Sequence, residues 1–203
     1  MTKNPQKILD KNLLGIWKFD KSAIEDMKNL TKVTKHSGIE QGSSLCGNLE
    51  TKKIKLQGQC IGTVCKLKRT FDNCGDLIDL GFFHTHPKTK EPYLSASDLF
   101  VYDLFNDQLS CLGLPEVTDK KNIICHINKS NNKTYQNERI KEIENLRKYR
   151  DIEKEVSKLK YEQTSSIKPK NFLEKEKMAR EYAKFYQKKF LTKFNPEDYV
   201  NKE

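Results

Sequence analysis

The residues best equipped for chemistry lie in the segment GFFHTHPKTKEPYLSASDLF, residues 81–100. His84 and His86 sit two apart in a run of large apolar residues that reads as a strand. Residues two apart on a strand face the same side, so two imidazoles would stand together, as a metal ion requires. Pro87 ends the strand, since it cannot donate to a ladder. The chain then returns through eight residues, Pro87 to Leu94, to Ser95 and Asp98 at the start of an apolar helix. Asp98 would supply a third ligand. Two histidines, one carboxylate and an open fourth position describe a catalytic zinc site, one ion per chain, in which water is acidified towards neutrality. Each part also has an ordinary structural reading. An H-x-H pair can be plain strand packing, Ser95-x-x-Asp98 is also a capping box, and Glu40 by itself is an unremarkable loop carboxylate.

The elements that must position these residues read as α/β. GIWKFD (15–20) is a short strand, and Ser22 caps a helix running to about Lys35 with Ile24, Met27, Leu30 and Val33 at helical spacing. SSLCGNL, KIKLQ and QCIGTVCKL follow as successive strands, then DLIDLGFFHTH. Ser95 opens a helix with Leu99, Tyr102, Phe105 and Leu109 on or near one face, and LSCLGLP and NIICHIN are late strands. At NKSNNK (128–133) the composition changes, glycine vanishes and charge dominates. Two helices are expected beyond it, over roughly 134–162 and 170–192. They would form an antiparallel hairpin or, as the second choice, a partner-binding arm.

The chain has 203 residues, 35% hydrophobic and 33% charged, with a formal net charge of +10. That is enough for one domain with a core and a solvated extension. Residues 134–203 hold 18 Lys+Arg and 13 Asp+Glu, a net of +5, which leaves +5 for the rest. The basic charge is therefore spread out and its signs interleave, so nucleic acid is not an expected partner. Six cysteines, Cys46, Cys60, Cys65, Cys74, Cys111 and Cys125, make no C-x-x-C pair and lie mostly in apolar stretches. They read as buried thiols of a reducing cytosol, with a four-thiolate zinc site from Cys60, Cys65, Cys74 and one more as the lesser alternative. Neither a signal peptide nor a membrane span is legible, so a cytoplasmic protein with no membrane contact is expected. His126 and Trp17 read as packed, Asp103 and Asp107 as solvated, and His36 as a helix-end cation.

HTHP at 84–87, SASD at 95–98 and the upstream IEQGSSLCG at 39–47 together resemble the JAMM (MPN-type) zinc metalloprotease family. Its pattern is a distant Glu, then H-[ST]-H-P, a short loop and S-x-x-D. The resemblance covers roughly residues 15–128, and the loop before Ser95 is one residue longer than the usual seven. It implies a cytidine-deaminase-like MPN domain over residues 1–130, with a mixed β-sheet flanked by helices. A lysine- and glutamate-rich helical hairpin would follow over 131–203. It implies that His84, His86 and Asp98 bind zinc, that Glu40 shuttles a proton from water to the leaving amine, and that Ser95 steadies the oxyanion. Thr85 would be structural. The implied reaction is hydrolysis of the amide bond between a ubiquitin-like modifier and a lysine. The alternatives are processing of a sulfur-carrier protein or small peptide, or a basic RadC-like nucleic-acid module.

Overall fold

The computed structural model describes residues 16–62, 74–87, 91–105, 107–117, 122–129, 133–162 and 170–200. In chain order these form β1 (Lys18–Phe19), α1 (Lys21–Ser37), β2 (Glu40–Gly47), β3 (Lys53–Gly62), β4 (Ile78–Thr85) and α2 (Ala96–Leu104). Then come β5 (Leu109–Gly113), β6 (Ile123–Asn128), α3 (Lys133–Glu162), α4 (Lys170–Phe190), β7 (Leu191–Phe194) and a 3-10 turn (Pro196–Tyr199). The strands make one mixed sheet in the order β1-β3-β2-β4-β5-β6-β7, so the chain is α/β as expected. Its residues fall into two compact units. One draws on Met1–Pro92, Asp107–Ile127 and Lys193–Glu203, and the other on Tyr93–Asn106 and Asn128–Thr192.

In the first unit β4 supplies two core residues three apart, a spacing made possible by an irregularity at Leu80 in its pairing with β2. Leu80 and Phe83 join Leu45 of β2, Leu109 and Cys111 of β5, and Ile123 and Cys125 of β6 in a core with Ala23, Ile24, Met27 and Leu30 of α1. Asp20, not Ser22, caps α1: its carboxylate accepts from the Ser22 backbone N–H and from the Ser22 hydroxyl. The apolar stripe also differs in its last member. Val33 is exposed while Thr34 is buried, because a 3.6-residue period reaches Thr34 after Leu30. Phe194, just past the helices, lies 6.5 Å from the Phe19 ring, and Phe19 bridges to Val200. The sheet therefore curls until its two ends approach.

Three further expectations change. KIKLQ and QCIG form one continuous strand, β3, whose Gly58 takes a positive φ of 65° and absorbs an irregularity in the pairing with β2; the rest of that predicted strand lies outside the described residues. Helix α2 stops at Leu104, and Leu109 belongs to β5, which pairs with β4 on one side and β6 on the other. The tail does not end in helix. β7 returns to the sheet beside β6, which the short, alternating LTKF segment gave no strong signal for.

The cysteines are not simply buried thiols. Cys46 pairs with Cys74 and Cys111 with Cys125 in disulfides, Cys60 keeps its thiol, and Cys65 lies outside the described residues. Cys111 and Cys125 stand directly opposite each other in the β5–β6 register, which brings their Cα atoms to 4.0 Å. Pairing of Cys74 also removes it from any four-thiolate site. The bonds span 28 and 14 residues, and closing loops of that size stabilises a fold by about 3–4 kcal/mol each in the chain-entropy account. Alkylation in denaturant without reductant should leave these four cysteines unlabelled, and prior reduction should expose them. Full labelling without reductant would remove both bonds.

Candidate metal centre

β4 carries the two histidines, and its register is set on both sides. Towards β5, Gly81 pairs with Leu109 at a φ of 147°, and a Cβ there would fall 1.7 Å from the Leu109 carbonyl oxygen. Glycine thus permits a backbone approach that no side chain would allow. From that point the parallel pairing runs Phe83↔Cys111 and His84↔Leu112, and the His86 N–H extends it by donating to the Gly113 carbonyl at 3.0 Å. Towards β2, His84 stands opposite Gly42. Gly42 is bare for a reason: a Cβ would lie 2.4 Å from Cζ of Phe82, whose ring stacks 6.0 Å from His84.

The two imidazoles turn the same ring atom towards each other. Their Nε2 atoms are 3.0 Å apart and the rings meet edge to face at 63°. Two nitrogens bound tetrahedrally to zinc at ~2.0–2.1 Å would be roughly 3.3 Å apart, so this histidine pair would need to open by only a few tenths of an ångström to share an ion. One ligand atom each from His84, His86 and Asp98 lies within 4.8 Å of the others, a group that could hold a metal ion. His84 is buried, and His86 and Asp98 are half-buried. Two neutral imidazoles and a carboxylate are a donor set that suits zinc.

Both readings of Ser95 and Asp98 hold together. Ser95 is the N-cap of α2, and a capping box is complete: the Asp98 N–H donates to Ser95 Oγ, while Asp98 Oδ2 accepts from the Ser95 N–H and hydroxyl at 2.8 and 2.7 Å. A carboxylate has a second oxygen, so the cap does not exhaust Asp98. The Ser95 hydroxyl proton is directed at Asp98 rather than outwards.

Glu40 begins β2 and is half-buried. Gly42 faces His84, and in antiparallel strands a step of two back on one matches a step of two forward on the other. Glu40 therefore belongs on the face that presents His84 and His86, and it lies outside the three-residue group. Thr85, facing the opposite way, ties this corner down. Its buried hydroxyl accepts from the Gln41 N–H at 2.8 Å and shares a 2.6 Å hydrogen bond with Thr34 of α1. The structural role given to Thr85 is thus specific: it fixes the residue next to Glu40.

Among the remaining candidates, Trp17 is buried in the core and His36 is exposed in the last turn of α1. Asp103 and Asp107 are not solvated. Asp107 is buried, and the Asp103 carboxylate is buried against the Arg139 guanidinium and accepts from the Tyr186 hydroxyl. The sequence reading missed these partners, because polar residues inside helical apolar stripes look like solvated neighbours. His126 is packed, with 2% exposure and no hydrogen-bond partner for its Nδ1 among the described residues.

Neither the protein-family models nor the curated proteins compared with this chain give a match.

Burial, reinforced by Lys193 and His84, pushes the pKa of His126 down to about 4. The folded chain then binds fewer protons than the unfolded one between about pH 4 and 6.5, so stability should fall on acidification through that window. The slope for one such group is about 1.4 kcal/mol per pH unit at most. Denaturant titrations of a His126→Leu variant should show a flatter dependence between pH 6.5 and 4; an unchanged slope would sink this assignment.

Proposed function

We propose that this chain is a zinc-dependent hydrolase of the JAMM (MPN) type, with a cytidine-deaminase-like core. Its proposed reaction cleaves the isopeptide bond between a ubiquitin-like modifier and a lysine side chain. The observation that carries the reading is the convergence of His84, His86 and Asp98. The order Glu40, HTHP, SASD along the chain supports the same choice.

His84, His86 and Asp98 would hold the ion. Zinc, when bound, supplies a Lewis acid that lowers the pKa of water and polarises a carbonyl. Glu40, on the same face as the histidines, takes a proton from the attacking water and passes it to the departing lysine amine, first as general base and then as general acid. Water adds at the carbonyl carbon, the C–N bond breaks, and the products are a carboxylate and an amine. Ser95 would donate to the developing oxyanion after turning its hydroxyl away from Asp98, a rotation about a single bond.

The proposed partner is a ubiquitin-like protein, whose extended C-terminal tail would pair along a strand edge. β3, which β1 accompanies only at Lys53 and Ile54, is the candidate edge. No described helix is long and apolar enough to cross a membrane, and the proposed place of action is the cytoplasm. The Cys46–Cys74 and Cys111–Cys125 disulfides would have to persist in that reducing compartment, where such bonds are rare. None of the four is a member of the metal group, so the site would not depend on those bonds.

Purified protein should contain about one zinc per chain, and His84→Ala should lose it. Glu40→Gln should keep the metal while lowering cleavage of a ubiquitin-like fusion by about 10²-fold or more. Normal cleavage by Glu40→Gln, or by protein stripped of metal, would refute the mechanism.

A further inference from the structure

Helix α2, which carries Asp98, groups with α3 and α4 in the second unit. The way it is held there differs from ordinary helix packing. The first backbone N–H groups of a helix have no partner within it and must be satisfied from outside. In α2 the Asp98 N–H is taken by Ser95 Oγ, and the Leu99 N–H begins the regular ladder on the Ser95 carbonyl. The two earlier donors, Ala96 and Ser97, are taken by a residue far along the chain. Glu153 of α3 accepts from the Ala96 N–H with Oε1 at 3.0 Å and from the Ser97 N–H with Oε2 at 2.9 Å. Oε2 accepts the Ser97 hydroxyl as well, also at 2.9 Å.

The residue before the cap is clasped too. The Gln187 side chain of α4 accepts from the Leu94 N–H at 2.9 Å and donates to the Leu94 carbonyl at 3.0 Å. Both residues are almost fully buried, Gln187 at 4% and Leu94 at 1% exposure. Further along α2, Arg150 lies with its guanidinium 4.1 Å from the Phe100 ring centre, and Asp103 is held by Arg139 and Tyr186. The helix is therefore gripped before its start, at its first turn, in its middle and near its end.

From this we infer that Glu153 and Gln187 are positioning residues for Asp98, and that the C-terminal helices serve to hold the third metal ligand in place. The inference rests on the metal reading above. Glu153 satisfies the two first-turn donors that Ser95 and Asp98 leave open, and its negative charge suits a helix N-terminus. Gln187 fixes the backbone from which Ser95 and Asp98 depart. Support of this kind for a ligand is worth ~10–100-fold in metal affinity.

The test uses the full chain and zinc itself. Glu153→Gln keeps the shape but replaces one acceptor oxygen with a donor. It should weaken zinc binding about tenfold in a chelator competition. The rise in melting temperature that zinc produces should shrink with it. A purely structural loss would lower the metal-free and zinc-loaded melting temperatures together and leave that rise intact. Glu155→Gln, two residues away and paired with Lys175 on the surface, should bind zinc as the unaltered chain does. Glu153→Asp should recover part of the affinity. If Glu153→Gln does not fold, Gln187→Met decides by the same two measurements. Zinc affinity within twofold of the unaltered chain in a folded variant overturns the inference and leaves the metal reading standing. An unaltered chain that binds no zinc overturns both.

Discussion

Two imidazoles can meet one ion only if the strand beneath them cannot slip. A one-residue shift of β4 would turn His84 and His86 to the opposite face and bring Phe83 and Thr85 in their place. The structure guards against that slip with backbone contact. Gly81 lets β4 press against the Leu109 carbonyl, Gly42 leaves room for Phe82, and the Thr85 hydroxyl joins β4 to β2 and α1. The donor geometry at His84 and His86 is thus inherited from the register of a central strand, and everything the site can do depends on it.

The two kinds of ligand are secured in different ways. The histidines are fixed by a ladder, in which each residue is tied to its neighbours at short range. Asp98 sits at a helix start, where the ladder has not yet begun and the free donors must be answered by side chains. Ser95, Glu153 and Gln187 answer for that segment. A strand ligand can be read from local spacing, but a helix-start ligand draws on residues more than fifty positions away. The lysine- and glutamate-rich tail would look like a solvated appendage by composition, yet it contains the groups that this helix start needs.

This contrast also explains how far the sequence was legible. Period-two spacing and a terminating proline made His84 and His86 readable as a pair, and the core of α1 followed from its stripe as far as Leu30. What escaped needed pairing information. Cys111 and Cys125 meet because β5 and β6 adopt one register, and apolar content alone could not distinguish two thiols from a bond. Asp103 reads as a surface residue in the sequence because its partners, Arg139 and Tyr186, lie in other helices. Asp20 displaced Ser22 as cap because both residue types cap well and only the start of the helix decides between them. The fold class and the metal-capable triad were readable. The family, the substrate and the ion are readings built on that triad.

β7 changes what the tail is. The chain leaves the sheet after β6, runs through both helices and comes back to lie beside the strand it left. The helical pair is thus a detour between neighbouring strands rather than a terminal addition. A shortened protein ending near residue 130 would strip the outer side of β6 and leave its hydrogen-bonding groups facing water. Exposed strands of this kind recruit other chains, so such a fragment would be prone to aggregate. The smallest unit that keeps every described strand of the sheet in place therefore includes that returning strand.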